Sequence, residues 1–110
     1  MNQEIKAKWV AALRSGEYKQ TKKRLRYENG FCCLGVLCDL HSKETGGEWS
    51  GQEYQGGYIT LPGRVIEWSD MSPLGTSTRV AIGGLKRSLA EHNDNGRTFL
   101  EIAYAIENQL

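Results

Sequence analysis

Phe31-Cys32-Cys33-Leu34-Gly35-Val36-Leu37-Cys38-Asp39-Leu40-His41 contains all three cysteines of the chain and its most continuous apolar run. Such a stretch is either the centre of a core or a cysteine site. Leu34, Leu37, Cys38 and His41 recur at helical spacing, and Val36 and Leu40 fill a second side. A helix apolar over most of its circumference is buried rather than laid on a surface. The block therefore predicts a buried central helix.

Asn29-Gly30 lies immediately before this block, and Asn-Gly is a strong hairpin signal because both turn positions must accept φ > 0. A two-residue turn at Asn29 and Gly30 would set Glu28 opposite Phe31, Tyr27 opposite Cys32, Arg26 opposite Cys33 and Leu25 opposite Leu34. One face of that hairpin would carry Leu25, Tyr27, Cys32 and Leu34. After the block, Ser42 to Tyr58 intersperses five glycines with Glu48, Trp49, Glu53 and Tyr54, which indicates a loop or an irregular hairpin.

Further out, Ile5, Trp9, Ala12 and Leu13 predict an amphipathic N-terminal helix from Asn2, ended by Ser15-Gly16. Tyr58-Ile59-Thr60-Leu61 reads as a short strand, with Pro62 near the first turn of a helix through Val65, Ile66 and Trp68. Ser69 to Ser77 reads as a loop, Arg79-Val80-Ala81-Ile82 as a short strand ended by Gly83-Gly84, and Leu85, Leu89 and His92 as a helical face. Thr98 and Glu101 form a capping-box pattern that starts a C-terminal amphipathic helix with Phe99, Ile102, Ala103 and Ile106 on one face. Nothing divides the chain. The expectation is one α+β domain over residues 1–110: an N-terminal helix, a hairpin leading into a buried helix, short strands and a C-terminal helix.

No run approaches the ~20 apolar residues of a membrane helix, and Met1-Asn2-Gln3-Glu4-Ile5-Lys6 is no apolar leader, so a cytoplasmic chain without a membrane partner is expected. Three cysteines, two of them adjacent, point to reduced thiols rather than a disulfide scaffold. The net charge is +1, but residues 1–40 carry eight Lys or Arg against four Asp or Glu, while residues 41–110 carry six against nine. This balance disfavours a dedicated double-stranded DNA binder and leaves room for a local anion site.

Cys32 or Cys33 with Cys38 and His41 gives C-x5-C-x2-H or C-x4-C-x2-H, but a structural zinc site needs four ligands and the only other histidine is His92. A nucleophilic cysteine beside His41 or His92 needs a stabilised thiolate, and Leu and Val neighbours work against one. The simpler role is that of small buried hydrophobes. Lys19 to Arg26 holds five cations in eight residues. They are either a solvated strand edge or a phosphate site made by Lys22, Lys23, Arg24 and Arg26, with Tyr18 and Tyr27 available for stacking. Trp49 and Tyr54 on the Gly-rich segment extend that candidate ligand-binding set, although Trp49 and Tyr58 equally suit packing under the loop. No glycine-rich phosphate loop with Lys-Ser or Lys-Thr occurs, which argues against an ATPase or kinase. Gly96-Arg97-Thr98-Phe99-Leu100-Glu101-Ile102-Ala103 resembles the first helix of a helix-turn-helix reader, but no recognition helix follows it before Leu110.

Trp9-Val10-Ala11-Ala12-Leu13-Arg14-Ser15-Gly16-Glu17-Tyr18-Lys19-Gln20, the block Gly30 to Asp39, Leu61-Pro62, and Asn93-Asp94-Asn95-Gly96 with Phe99, Glu101, Ile102 and Ala103 together resemble a family of small tailed-phage and prophage accessory proteins. The resemblance spans nearly the whole chain and is weakest over 42–60 and 69–84. It implies an accessory protein of the infected bacterial cytoplasm and carries over no catalytic residues. The expected function is non-enzymatic: binding that counteracts host antiviral defence, by sequestering an anionic nucleotide signal on Tyr18, Lys22, Lys23, Arg24, Arg26, Tyr27, Trp49 and Tyr54. The alternative is a protein-binding inhibitor of a nuclease or CRISPR-type effector, and a Cys/His metal or redox protein comes third. No cofactor is expected, and homo-oligomerisation stays open.

Overall fold

Asn2 caps the first helix by accepting the Ile5 N–H at 3.0 Å, and α1 runs Gln3–Arg14 before Ser15 and left-handed Gly16 end it. The computed structural model describes residues 1–71 and 77–110; the expected loop from Ser69 to Ser77 lies partly outside the described residues. Ile5, Trp9, Val10 and Leu13 form the buried stripe of α1. Trp9 also donates its indole N–H to the Cys33 carbonyl at 2.9 Å. That bond fixes α1 to the start of the central helix.

A three-stranded sheet follows, in the order β1-β3-β2, from β1 (Lys19–Gln20), β2 (Arg26–Tyr27) and β3 (Gly30–Phe31). The expected hairpin is present with its register moved by one. Tyr27 pairs with Gly30 and Arg26 with Phe31, so the turn residues are Glu28 and Asn29, at φ 48° and 65°. Gly30 is needed inside the sheet rather than in the turn. A Cβ there would sit 3.0 Å from Thr21 Cβ and 3.3 Å from the carbonyls of both Lys19 and Tyr27. Any side chain at that point of the central strand would require its neighbours to give by a few tenths of an ångström. The shift leaves Tyr27 exposed instead of on an apolar face, and it releases Cys32 to become the N-cap of α2.

The central helix α2 (Cys33–Thr45) buries Cys33 to Cys38 and His41 and ends at Gly46, at φ 78°. It packs against α1, α3 and α4. Next come a hairpin of β4 (Trp49–Ser50) and β5 (Glu53–Tyr54), and α3 (Gly63–Ser69) with Pro62 at its N-cap. Tyr58 to Leu61, expected as a strand, is a bend. Gly57 bridges back to Tyr54, and the chain curls so tightly that a Cβ on Gly57 would lie 2.6 Å from the Thr60 carbonyl and 2.7 Å from Pro62 Cδ.

β6 (Arg79–Ile82) is a strand as expected, and Gly83-Gly84 is its hairpin turn, with φ 60° and 81°. The return strand β7 (Leu85–Ser88) occupies residues expected to begin a helix. Leu85 is consequently exposed, and α4 (Leu89–Asp94) begins only after Ser88, in a capping box with Glu91. The last helix, α5 (Phe99–Gln109), has the expected Thr98–Glu101 capping box and buries Phe99, Ile102, Ala103, Ala105 and Ile106 along α1. The architecture is α+β, a single packed body with a radius of gyration of 12.4 Å, close to the ~13 Å expected for this length.

Candidate functional site

The shifted hairpin and the β4–β5 hairpin lie side by side, and two arginines join them. Arg26 donates from Nε and Nη2 to the Gly51 carbonyl at 3.0 and 2.6 Å, and its guanidinium lies 4.5 Å from the Trp49 ring centre. Arg24 donates to Gln52 Oε1 at 3.0 Å and lies over two rings, Tyr27 at 4.8 Å and Tyr58 at 5.5 Å. Gln52 Oε1 also accepts from the Tyr58 hydroxyl at 2.8 Å. Each cation–π contact contributes about 0.5–1 kcal/mol in such exposed positions. Together they hold two guanidinium groups in place; Arg26 lines a groove of about 430 Å3 with Tyr27, Glu28, Asn29, Phe31, Gly51 and Gln52, and Arg24 reaches that lining through Gln52 and Tyr27.

Behind this face stands an aromatic support. Phe31 meets Tyr18 edge-on at 5.1 Å and Trp49 at 5.8 Å. Asp39, on α2, accepts the Tyr18 hydroxyl at 2.6 Å and the Trp49 indole N–H at 3.2 Å, and Lys43 pairs with it at 3.3 Å. Burial, then the bond to Asp39, raise the Tyr18 pKa, so its hydroxyl stays a proton donor. Tyr18 and half-buried Trp49 thus orient the arginine face more than they present open rings.

Four residues expected at the site, Arg24, Arg26, Tyr27 and Trp49, come together, and Tyr18 stands behind them. Tyr54 is fully buried: its hydroxyl lies 2.5 Å from His41 Nδ1 and its ring leans on Trp49, so it offers no stacking surface. Lys22 and Lys23 are not among the residues that line this groove. Lys22 lines a separate cavity of about 220 Å3 with Gln20, Gly96 and Arg97, and the Lys23 backbone N–H donates to Asp94 at 2.7 Å. Gln52, which was not expected there, and Tyr58, weighed only as part of the Gly-rich aromatic segment, complete the arginine face. Their signal was the Gly-rich loop itself.

The cysteines take structural places. Cys32 Sγ accepts the Gly35 N–H at 3.4 Å as the cap of α2, and Cys33 Sγ lies 3.6 Å from the Leu89 carbonyl. Burial pushes the Cys32 thiol up to about 11 and raises those of Cys33 and Cys38 as well. Among the described residues, no three His, Cys, Asp or Glu side chains gather as metal ligands would.

No curated protein and no solved structure matches the chain. A family model described as "Domain of unknown function (DUF8296)" matches residues 1–110. With its whole length covered, the chain belongs to this family.

Proposed function

We propose that the protein is a non-enzymatic binding protein that sequesters an anionic, nucleotide-type ligand on the Arg24–Arg26 face, and in doing so counteracts host antiviral defence. One observation carries the binding half: the Arg26 guanidinium, held by Trp49 and Gly51, lines the groove, and the Arg24 guanidinium is held next to it against Gln52 and Tyr27, two residues of the same lining. A guanidinium has five N–H donors. Arg24 uses one on Gln52 and Arg26 two on Gly51, which leaves donors for phosphate oxygens. Pre-orientation lowers the entropy lost on binding, and Tyr27 and Tyr58, 37% and 41% exposed, supply ring surface. The defence half rests on the resemblance to phage accessory proteins, with the bacterial cytoplasm as the compartment.

Thermal unfolding with a panel of mononucleotides and dinucleotides tests the reading. A bound nucleotide at 100 times its dissociation constant stabilises the protein by about 2.7 kcal/mol. Replacing both arginines, Arg24→Ala with Arg26→Ala, is expected to abolish the shift while the unliganded protein still melts cooperatively. A shift that survives both substitutions rejects the site.

A protein-blocking function is the second reading, favoured by Leu100 and Tyr104, which are 62% and 66% exposed on α5 beside a groove formed with Ala81, Ile82 and Gly83. It predicts retention of a host effector in pull-down, lost on Leu100→Ser with Tyr104→Ser, and no nucleotide-induced shift.

A further inference from the structure

The hairpin turn at the mouth of the arginine groove is built against backbone preference. A two-residue turn with φ > 0 at both positions favours Asn, Asp or Gly in each. Asn29 satisfies this at φ 65°, but the first position holds Glu28 at φ 48°, where a long side chain is disfavoured. Glu28 lines the groove and is exposed, and its carboxylate has no hydrogen-bond or ion-pair partner among the described residues. The side-chain amide of Asn29 and Nε2 of Gln52, on the same groove, are also unpartnered there.

We propose that Glu28 makes this groove selective for guanine-bearing nucleotides, a specificity that rests on the nucleotide-binding function above. An ionised carboxylate has two acceptor oxygens and no donor. Guanine is the base whose pairing edge presents two adjacent donors, N1–H and the N2 amino group, and a carboxylate accepts both side by side. Adenine places an acceptor, N1, at that position and meets repulsion instead. Asn29 Nδ2 and Gln52 Nε2 provide the complementary donors for O6 and N7. Tyr27, backed by Arg24 at 4.8 Å, provides a ring for stacking, and the remaining N–H groups of Arg26, which lines the groove, take the phosphate. The groove, at about 430 Å3, falls within the range of small-ligand sites.

Titration calorimetry with GMP and AMP on the full chain tests this. Wild type is expected to bind GMP at least about tenfold more tightly than AMP, the discrimination of one good bidentate base contact. Glu28→Gln is expected to bring the two within about threefold, by weakening GMP alone. Glu28→Gly removes the carboxylate and also suits φ 48°, so it should lose the preference while melting no lower than wild type; this keeps the test independent of misfolding. Equal affinities of wild type for GMP and AMP overturn guanine selectivity and leave nucleotide binding standing. Absence of binding to either, at concentrations reaching millimolar, overturns both.

Discussion

Gly35 of α2 packs directly on the backbone of Leu25: a Cβ added to Gly35 would lie 1.8 Å from the Leu25 carbonyl oxygen and 2.7 Å from its carbonyl carbon. The same carbonyl accepts the Cys32 N–H at 3.2 Å, and the Leu25 N–H donates to the Tyr58 carbonyl at 2.9 Å. Leu25 thus ties the segment bearing Arg24 and Arg26 to the central helix on one side and to the Tyr58 bend on the other. Because the atoms in the way are the backbone of buried Leu25, Gly35→Ala cannot be absorbed by a rotamer change. It should destabilise the fold by about 3 kcal/mol, the upper end for overpacking, read as a lower urea midpoint.

The thiols are expected to be inert in the folded protein. Alkylation needs thiolate, and Cys32, the least shifted of the three, titrates near 11. Native protein at pH 8 should take up no iodoacetamide by mass spectrometry over a time in which a urea-unfolded sample takes up three equivalents. Rapid single labelling of native protein would reinstate a reactive cysteine.

Helices were legible where a cap and a 3.6-residue stripe coincided, as at Asn2 with Ile5, Trp9 and Leu13, or at Thr98 with Glu101. Ser88 and Glu91 carry the same capping signature, yet the apolar spacing of Leu85 and Leu89 drew the expected helix one turn too early. Leu85 instead pairs with Ile82 across the Gly83-Gly84 turn. The hairpin register was misread for a different reason. Asn-Gly reports a turn from local φ preference, whereas the crowding of Gly30 by Thr21 and Lys19 is a tertiary fact. Arg24, Arg26 and Tyr27 were identifiable as a group because they are neighbours on one hairpin. Tyr54 was misplaced because strand alternation turns Glu53 outward and Tyr54 into the core, beside a His41 that only the fold brings near.

Asn93 was read as a turn residue and is a buried junction. Its Oδ1 accepts from Gln20 Nε2 at 2.9 Å and from the Cys33 N–H at 3.1 Å, and its Nδ2 donates to the Thr21 carbonyl at 2.8 Å. One side chain therefore joins α4 to β1, to the residue after β1 and to the first turn of α2. Asn93→Ala would leave several buried polar groups unpaired, at about 1–3 kcal/mol for each one left unsatisfied. A total loss of about 3 kcal/mol or more is expected in chemical denaturation. Asn93→Asp keeps an acceptor for Cys33 and Gln20 but removes the donor to Thr21, and should fall between wild type and Ala.

His41 sets a pH dependence on the same core. Burial, then the positive charge of Arg64, lower its pKa below the ordinary 6.5, with Glu44 opposing, while Tyr54, Thr45 and the Trp68 ring surround the imidazole. The folded protein therefore keeps His41 neutral at a pH where the unfolded chain has begun to protonate it. Below about 6.5 the unfolded state binds more protons, so unfolding becomes easier as the pH falls; above that value His41 contributes no slope. The contribution present at neutral pH is lost between the ordinary value and the lowered one, and is level beneath it. Urea midpoints measured from pH 7.5 down to 5 should decline, and the decline should be shallower in His41→Gln, which retains a polar group for the Tyr54 hydroxyl but does not titrate. An identical decline in the variant would assign the slope to other groups.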